Sequence, residues 1–233
     1  MNISIIVAAG KGERLSSVLN KKKQFHVIAN NEEMFLFSLK TFIDYGIETN
    51  ILVIPQDDLS LVKQILEREG IIDKVEIVFG GDSRQESVHK ALRYIEINYP
   101  SLNKVASKVY VHDADRPLLT LKLLKRLDDA YGKNYAVIPY LNITDSVYDT
   151  KEGKYVERKN LRLVQTPQLF NLDLLIHAYI KNRYSLSSFT DEGSVVKTIY
   201  DNIDYIEGDP CNIKVTDKNS LDLVIIYLKD KKL

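Results

Sequence analysis

ISIIVAAGKGERLSSVLNKKKQ, spanning Ile3 to Gln24, joins an apolar run to a glycine-containing loop that carries several cations. Ile3, Ile5, Ile6 and Val7 read as a short strand buried on both faces, because both alternating sets of side chains include apolar residues. The strand runs straight into Ala8-Ala9-Gly10-Lys11-Gly12-Glu13-Arg14. Small residues there let backbone approach a ligand closely, and Arg14 and Lys23 bring positive charge to the same place. Open α/β sheets bind ligands at strand-to-loop junctions of this kind. The ligand this suggests is a nucleotide with several phosphates; the bland alternative is a glycine turn with charged neighbours. Two familiar glycine motifs are absent. A dinucleotide fingerprint needs a third glycine where Leu15 stands, and no Gly-Lys-Ser/Thr of a P-loop follows.

Composition narrows the function classes. The chain has 233 residues, room for one large α/β domain or two small ones. Lys plus Arg and Asp plus Glu both number 32, so bulk charge gives no reason to expect nucleic acid or an anionic membrane as partner. With Cys211 as the single cysteine, no intrachain disulfide forms. His26, His89, His112 and His177 are too scattered for a structural zinc site. The apolar run before Lys11 is too short for a secretory signal, and no stretch approaches the roughly 18 apolar residues of a membrane span. A cytoplasmic protein is expected.

Beyond the loop, strand and helix patterns alternate. Met34 to Ile43 is apolar at helical spacing, with Gly46 as its C-cap. Asn50–Ile54 and Val75–Phe79 read as buried strands separated by a helix over Asp58 to Glu69. Gly80-Gly81-Asp82-Ser83-Arg84-Gln85-Glu86-Ser87 then opens a helix: Ser83 and Glu86 make a capping box, and Val88, Ala91, Leu92 and Ile95 its buried stripe. The cap accounts for Ser83 and Glu86 but not for Asp82 or Ser87, which are placed to read a base edge. Lys108–His112 is a further strand. Asp113, at its C-terminal end, is suited to Mg²⁺, which takes one or two carboxylates plus phosphate oxygens. Arg116 is positioned to pair with Asp113 or Asp115.

Helix is expected at Leu118–Tyr131 and strand at Ala136–Tyr140. Residues 142–164 change character, with two short polar strands, Thr144–Asp149 and Lys154–Arg158. A lone hairpin is marginal in water, so this arm needs a surface to pack on, most simply a second copy of the chain. Gln165 and Gln168 are expected to bond loop backbone around Pro167. Helices are expected over Leu169–Ile180, from Thr190 or Asp191 to about Tyr200, and over Leu221–Lys229, with a strand at Ile203–Ile206. Lys214 alternates with Ile213 and Val215 and so points away from the core. No repeat or linker interrupts residues 1–233, which read as one domain plus the arm. Alternating elements of this kind imply an α/β fold with a mostly parallel sheet and helices on both faces.

The motifs form an ordered series: Ala8–Arg14, Lys23-Gln24, Gly80-Gly81-Asp82-x-Arg84-Gln85-x-Ser87-Val88, His112-Asp-Ala-Asp-Arg-Pro117, Gln165-Thr-Pro-Gln168, Thr190-Asp191 and Asn212–Thr216. In that order they resemble the 2-C-methyl-D-erythritol 4-phosphate cytidylyltransferases over essentially the whole chain. The related ribitol-5-phosphate cytidylyltransferases share most of them, while Thr190-Asp191-Glu192-Gly193-Ser194-Val195 is more similar to the isoprenoid enzymes. The resemblance implies a Rossmann-like three-layer nucleotidyltransferase fold with a protruding β-arm. It implies transfer of CMP from CTP to a sugar-alcohol phosphate, with Mg²⁺, in a homodimer built through the arm. Ala8, Ala9, Gly10, Gly81, Asp82, Ser87 and Ala114 would hold the cytidine, with Gly12 in the same loop. Arg14, Lys23 and Lys214 would neutralise phosphates, and Asp113 would meet the reacting centre, its metal, or both. Ser146 and Arg158 of a partner's arm would hold the acceptor phosphate. The chain departs from the family pattern at Lys22, where proline is usual, and at Ser146 for threonine and Glu157 for aspartate. Asp115 and Gly193 also replace small residues or alanine. A catalytically silent nucleotide-binding module is the alternative of a different class; it would be marked by loss of Arg14, Lys23, Asp113 or Lys214, and all four are present. A NAD-dependent dehydrogenase is disfavoured by Leu15.

Overall fold

The computed structural model of the chain describes residues 1–10, 22–132 and 134–230. Gly12 and Arg14 lie outside the described residues. In chain order the elements begin with β1 (Asn2–Val7), β2 (Val27–Ala29), β3 (Glu32–Glu33), α1 (Met34–Asp44), β4 (Thr49–Ile54), α2 (Leu59–Arg68) and β5 (Val75–Phe79). They continue with α3 (Arg84–Asn98), β6 (Lys108–Asp113), α4 (Leu121–Ala130), β7 (Ala136–Asn142), β8 (Val147–Asp149), β9 (Lys154–Val156) and β10 (Arg162–Val164). The last are β11 (Gln168–Asn171), α5 (Leu172–Lys181), α6 (Glu192–Val196), β12 (Asp204–Glu207) and α7 (Lys218–Asp230).

Eight strands form the main sheet in the order β10-β7-β11-β6-β1-β4-β5, with β12 also paired to β7. β5, β4, β1 and β6 are mutually parallel. β7 runs the same way, because both it and β6 pair antiparallel with β11. Side chains along each central strand go alternately to two cores. Ile6, Leu52, Ile54 and Tyr110 meet α1, α2 and α4 on one face. Ile3, Ile5, Ile51, Val53, Val109 and Val111 meet α3, α5 and α6 on the other. Covering both faces explains why these strands carry apolar residues on both faces. It also brings the C-terminal ends of β1, β4, β5 and β6 to one edge, where Val7, Ile54, Phe79 and Asp113 open into loops.

Several local expectations change. Helix begins at Leu172 rather than Leu169, because Gln168–Asn171 forms β11 between β6 and β7. Leu169 and Phe170 are both fully buried, one in each core. Asn171 then caps α5 by accepting the Leu174 N–H at 3.0 Å. α6 stops at Val196, short of Tyr200. The arm strands shrink to β8 and β9, joined as a separate two-stranded sheet with Tyr148 edge-on to Tyr155 at 5.2 Å. Gly46 does end α1, at φ +85°, which a side chain would strain.

At the far end of β6 the Asp128 carboxylate accepts from Lys108 Nζ at 2.6 Å and from Tyr45 Oη at 2.6 Å. Burial raises its pKa, but those two donors outweigh burial and hold it below the usual carboxylate value. A depressed carboxylate stabilises the fold above its unfolded-state pKa, near 4, and loses that contribution as pH falls through the folded value. Asp128→Asn is therefore expected to lower stability by about 1–2 kcal/mol at neutral pH. Urea midpoints of the two proteins should converge as pH is lowered below about 4; a gap that stays constant with pH would contradict the account.

Candidate active site

The loop after β5 begins the site. Gly80 packs against the loop after β1 so closely that a Cβ there would sit 2.3 Å from Ala9 Cβ and 2.9 Å from Ser87 Oγ. Ser87 fixes the turn: its hydroxyl donates to Ser83 O at 2.9 Å and accepts the Gly81 N–H at 3.1 Å. Ser83 caps α3 by accepting the Glu86 N–H, as expected, but the Glu86 carboxylate accepts from Asp82 N rather than from Ser83 N. The reciprocal bond thus closes one residue earlier and orders Asp82. Gln24 braces the first loop, donating to Ala8 O at 2.7 Å and Gly10 O at 2.9 Å.

Between these loops and the end of β6 lies a cleft of ≈ 760 Å³. Ala9, Gly10, Gly81, Asp82 and Ser87 line it, together with Lys23, Asp113, Asp115 and Lys214. Ala8 and Ala114 do not: both are buried, at 2% and 1% exposure. Ala114 instead ties β6 to β1 through its N–H to Val7 O. Lys22 also lines the cleft and pairs with Asp58 at 2.5 Å.

Asp113 is the hub. Arg84 Nε donates to one of its oxygens at 2.8 Å and Lys214 Nζ to the other at 2.8 Å, with Arg116 Nε 3.7 Å away. Burial pushes the Asp113 carboxyl up, but these cations together hold it well below the usual range. It is ionised at any working pH. Arg84 is itself anchored by two bonds to Glu192, at 2.6 and 3.0 Å, and Tyr179 Oη donates to Glu192 at 3.1 Å. Glu192 has no exposure. Beneath the hub, burial lowers His112 to about 4, so its ring is neutral. Its Nε2 lies 3.1 Å from Arg116 O, which only accepts, so Nε2 carries the proton. Nδ1 therefore accepts from Thr166 Oγ1, which in turn accepts the Asp113 N–H at 3.1 Å. Asp113 is held through backbone and side chain alike.

A second, smaller pocket of ≈ 180 Å³ opens on the other side of the hub, among Arg116, Thr166, Thr190 and Asp191. Arg84, Asp113 and Lys214 line both pockets. The glutamines hold the surrounding loops: Gln165 donates to Asp209 O, and Gln168 donates to Asp191 and accepts from Gly193 N. Ser146 and Arg158 are exposed on the arm and line neither pocket. Sequence reasoning missed Arg84 and Glu192 as a pair. Arg84 stood inside a motif, but an acid in a helix's first turn reads as a favourable dipole partner, and nothing local marks Glu192 as buried.

Among the described residues no group of three or more His, Cys, Asp or Glu is arranged to hold a metal alone. Asp113 and Asp115 supply hard oxygen donors beside the cleft, which fits Mg²⁺ held partly by substrate phosphates. Among the described residues no helix is long and apolar enough to cross a membrane.

Known proteins agree with this geometry. The family model for IspD, 2-C-methyl-D-erythritol 4-phosphate cytidylyltransferase, matches residues 2–230. The enzyme of that name from Thermotoga neapolitana is 32% identical, over 99% of this chain and 98% of its own. One from Bacillus cytotoxicus is 31% identical over 96% of each. Among solved structures, 4-diphosphocytidyl-2C-methyl-D-erythritol synthase from Anaerococcus prevotii superposes with a TM-score of 0.80 at 25% identity, covering 98% of this chain and 96% of that one. A nucleotide-sized cleft at the mouth of a parallel sheet, a carboxylate hub ringed by cations, and a match along almost its full length agree: the chain belongs to the 2-C-methyl-D-erythritol 4-phosphate cytidylyltransferase family.

Proposed function

We propose that this chain transfers the cytidylyl group of CTP to 2-C-methyl-D-erythritol 4-phosphate, releasing pyrophosphate, and that the chemistry takes place at Asp113. The observation that carries this reading is the shared wall: Arg84, Asp113 and Lys214 face both the large cleft and the small pocket. The nucleotide fits the first, of a size usual for such ligands, and the acceptor phosphate the second. Their reacting atoms meet at the hub.

The acceptor phosphate is largely dianionic at neutral pH, since its second pKa is about 6. It is already a nucleophile and needs no general base. One of its oxygens bonds to the α-phosphorus of CTP while the bond from that phosphorus to the β-phosphate bridging oxygen breaks, and pyrophosphate leaves. Two polyanions must approach in line, and charge must be held on the α-phosphate's equatorial oxygens. Lys23 and Lys214, with Arg14, supply that charge; Ala9, Gly10, Gly81, Asp82 and Ser87 form the nucleoside end. Asp113, clamped by Arg84, fixes where Lys214 points. Mg²⁺, held by Asp113 and the phosphates, would neutralise triphosphate charge when bound.

The arm belongs to a second copy. Tyr148, Tyr155, Leu163 and Val164 are exposed on and beside it, apolar area that a partner would cover. In the homodimer Ser146 and Arg158 reach the partner's acceptor pocket. The enzyme works in the cytoplasm as one domain, residues 1–233, with its arm at 142–164. Mixing tests the arrangement. Lys214→Ala and Arg158→Ala proteins, each weak alone, should recover about a quarter of wild-type activity after subunit exchange, because half the dimers carry one intact composite site. No recovery after verified exchange would place Arg158 in its own chain's site or outside catalysis.

A further inference from the structure

Lys23 is not free to meet a phosphate in this structure. Its ammonium, 15% exposed as a side chain, donates to the Asp115 carboxylate at 2.5 Å and to Val215 O at 2.9 Å. Asp115 is 12% exposed as a side chain, and its other oxygen is buried with no hydrogen-bond partner among the described residues. The Asp115 carbonyl accepts the Val215 N–H at 2.8 Å. One residue thus binds both the loop that carries Lys23 and the segment that carries Lys214. The remaining cations of the hub are matched too: Lys214 and Arg84 face Asp113, and Arg84 also faces Glu192. The cleft that must accept a triphosphate is already supplied with carboxylates.

A lysine ammonium has three donors and one charge. A phosphate that takes Lys23 either displaces Asp115, leaving a poorly solvated carboxylate without its hydrogen-bonded cation, or binds beside it and meets like charge across a partly buried gap. Both routes weaken nucleotide binding. We propose that Asp115 is a built-in counter-anion that competes with the nucleotide triphosphate for Lys23 and thereby sets the free protein's affinity for it. Asp113 does not play this part for Lys23: its two oxygens accept from Arg84 and Lys214, and none of the described contacts joins it to Lys23. The inference rests on the reading of Lys23 as a phosphate ligand, and its test separates the two.

The test is the affinity for metal-free CTP, read by calorimetry with EDTA present, for wild type, Asp115→Asn, Lys23→Ala and the double variant. Asp115→Asn keeps the shape and the backbone bond to Val215 while removing the charge. It should tighten CTP binding about tenfold, equivalent to roughly 1.4 kcal/mol. Lys23→Ala should weaken binding, and on that background the gain from Asp115→Asn should shrink, because the competition has lost its object. Asp115→Ala serves the same purpose if the amide variant does not fold. Unchanged or weaker binding by Asp115→Asn, with Lys23→Ala still weakened, would overturn the counter-anion role and leave the Lys23 reading standing. Unchanged binding by Lys23→Ala would overturn the Lys23 reading itself.

Discussion

Lys214→Ala is expected to lower kcat by roughly 10²–10³ and to leave the fold in place, by analogy with the loss of one preorganised charge-stabilising group. The geometry separates the two effects. Lys214 is 38% exposed as a side chain and contributes one bond to the hub, at 2.8 Å to Asp113. An ion pair this exposed stabilises by at most about 1 kcal/mol, and Asp113 keeps Arg84 at 2.8 Å and Arg116 at 3.7 Å when it is lost. The neighbouring Val215 is fully buried and secures the segment independently. Chemistry has no such reserve. Of the two cations that line both pockets, Lys214 and Arg84, Lys214 is the more exposed and has the fewer carboxylate bonds, so it is placed to meet charge that builds as the two substrates react. The effect should fall mainly on kcat, with KM for CTP changing less, since charge held only in the transition state raises turnover rather than binding. Near-normal turnover by the variant, with an unchanged thermal midpoint, would remove Lys214 from the reacting centre.

Glu192→Ala should act in the opposite order, on stability first. Glu192 has no exposure and neutralises Arg84 through two bonds, with Tyr179 as a third donor. Burial pushes the Tyr179 hydroxyl's pKa up, and the Glu192 charge pushes it further, so it remains a donor. Removing the carboxylate leaves a guanidinium in a desolvated place with Asp113 as its remaining anchor, and leaves the hydroxyl without its acceptor. Breaking a buried pair in this way costs about 3–5 kcal/mol. For a chain of this size that corresponds to a fall in thermal midpoint of roughly 10 °C. Activity should fall as well, because Arg84 then has no fixed position from which to hold Asp113. Glu192→Gln keeps one acceptor and the side-chain volume, and should lose less of both. A midpoint within about 3 °C of wild type for Glu192→Ala would contradict the anchoring role.

What was legible in the sequence followed from periodicity and local chemistry. Ile5 and Ile6 lie in different cores, as did Ile51 and Leu52, and a strand apolar at consecutive positions announces burial on both faces. Gly46 and Ser83 act within a few residues, and turns and caps of that reach are local events. β11 shows the limit. Its two apolar residues, Leu169 and Phe170, continue smoothly into α5, and the gap between β6 and β7 makes Gln168–Asn171 a strand; propensity yields to tertiary pairing there.

The site divides in the same way. Alternation in Asn212–Thr216 correctly turned Lys214 out of the core, but its partner Asp113 is 101 residues away. Arg84 and Glu192 are 108 residues apart, and Glu192 has a sufficient local explanation in its helix's first turn, where an acid suits the dipole. Ala8 and Ala114 belong to the motifs yet are buried and do not line the cleft. Asp115 stood out as a departure near the phosphates. Its ion pair with Lys23 joins residues 92 apart, which no motif expresses.

Cytidylyl transfer to methylerythritol 4-phosphate is tested by turnover of the purified protein with CTP and Mg²⁺, followed as pyrophosphate release and as formation of the cytidine diphosphate product. Methylerythritol 4-phosphate and ribitol 5-phosphate are run in parallel over a full range of concentrations. The kcat/KM for the first is expected to exceed that for the second by about 100-fold, the scale on which a pocket separates substrates that differ by a small group. Equal values, or preference for ribitol 5-phosphate, would contradict the assignment of the acceptor while leaving the nucleotide cleft and the in-line transfer at Asp113 intact.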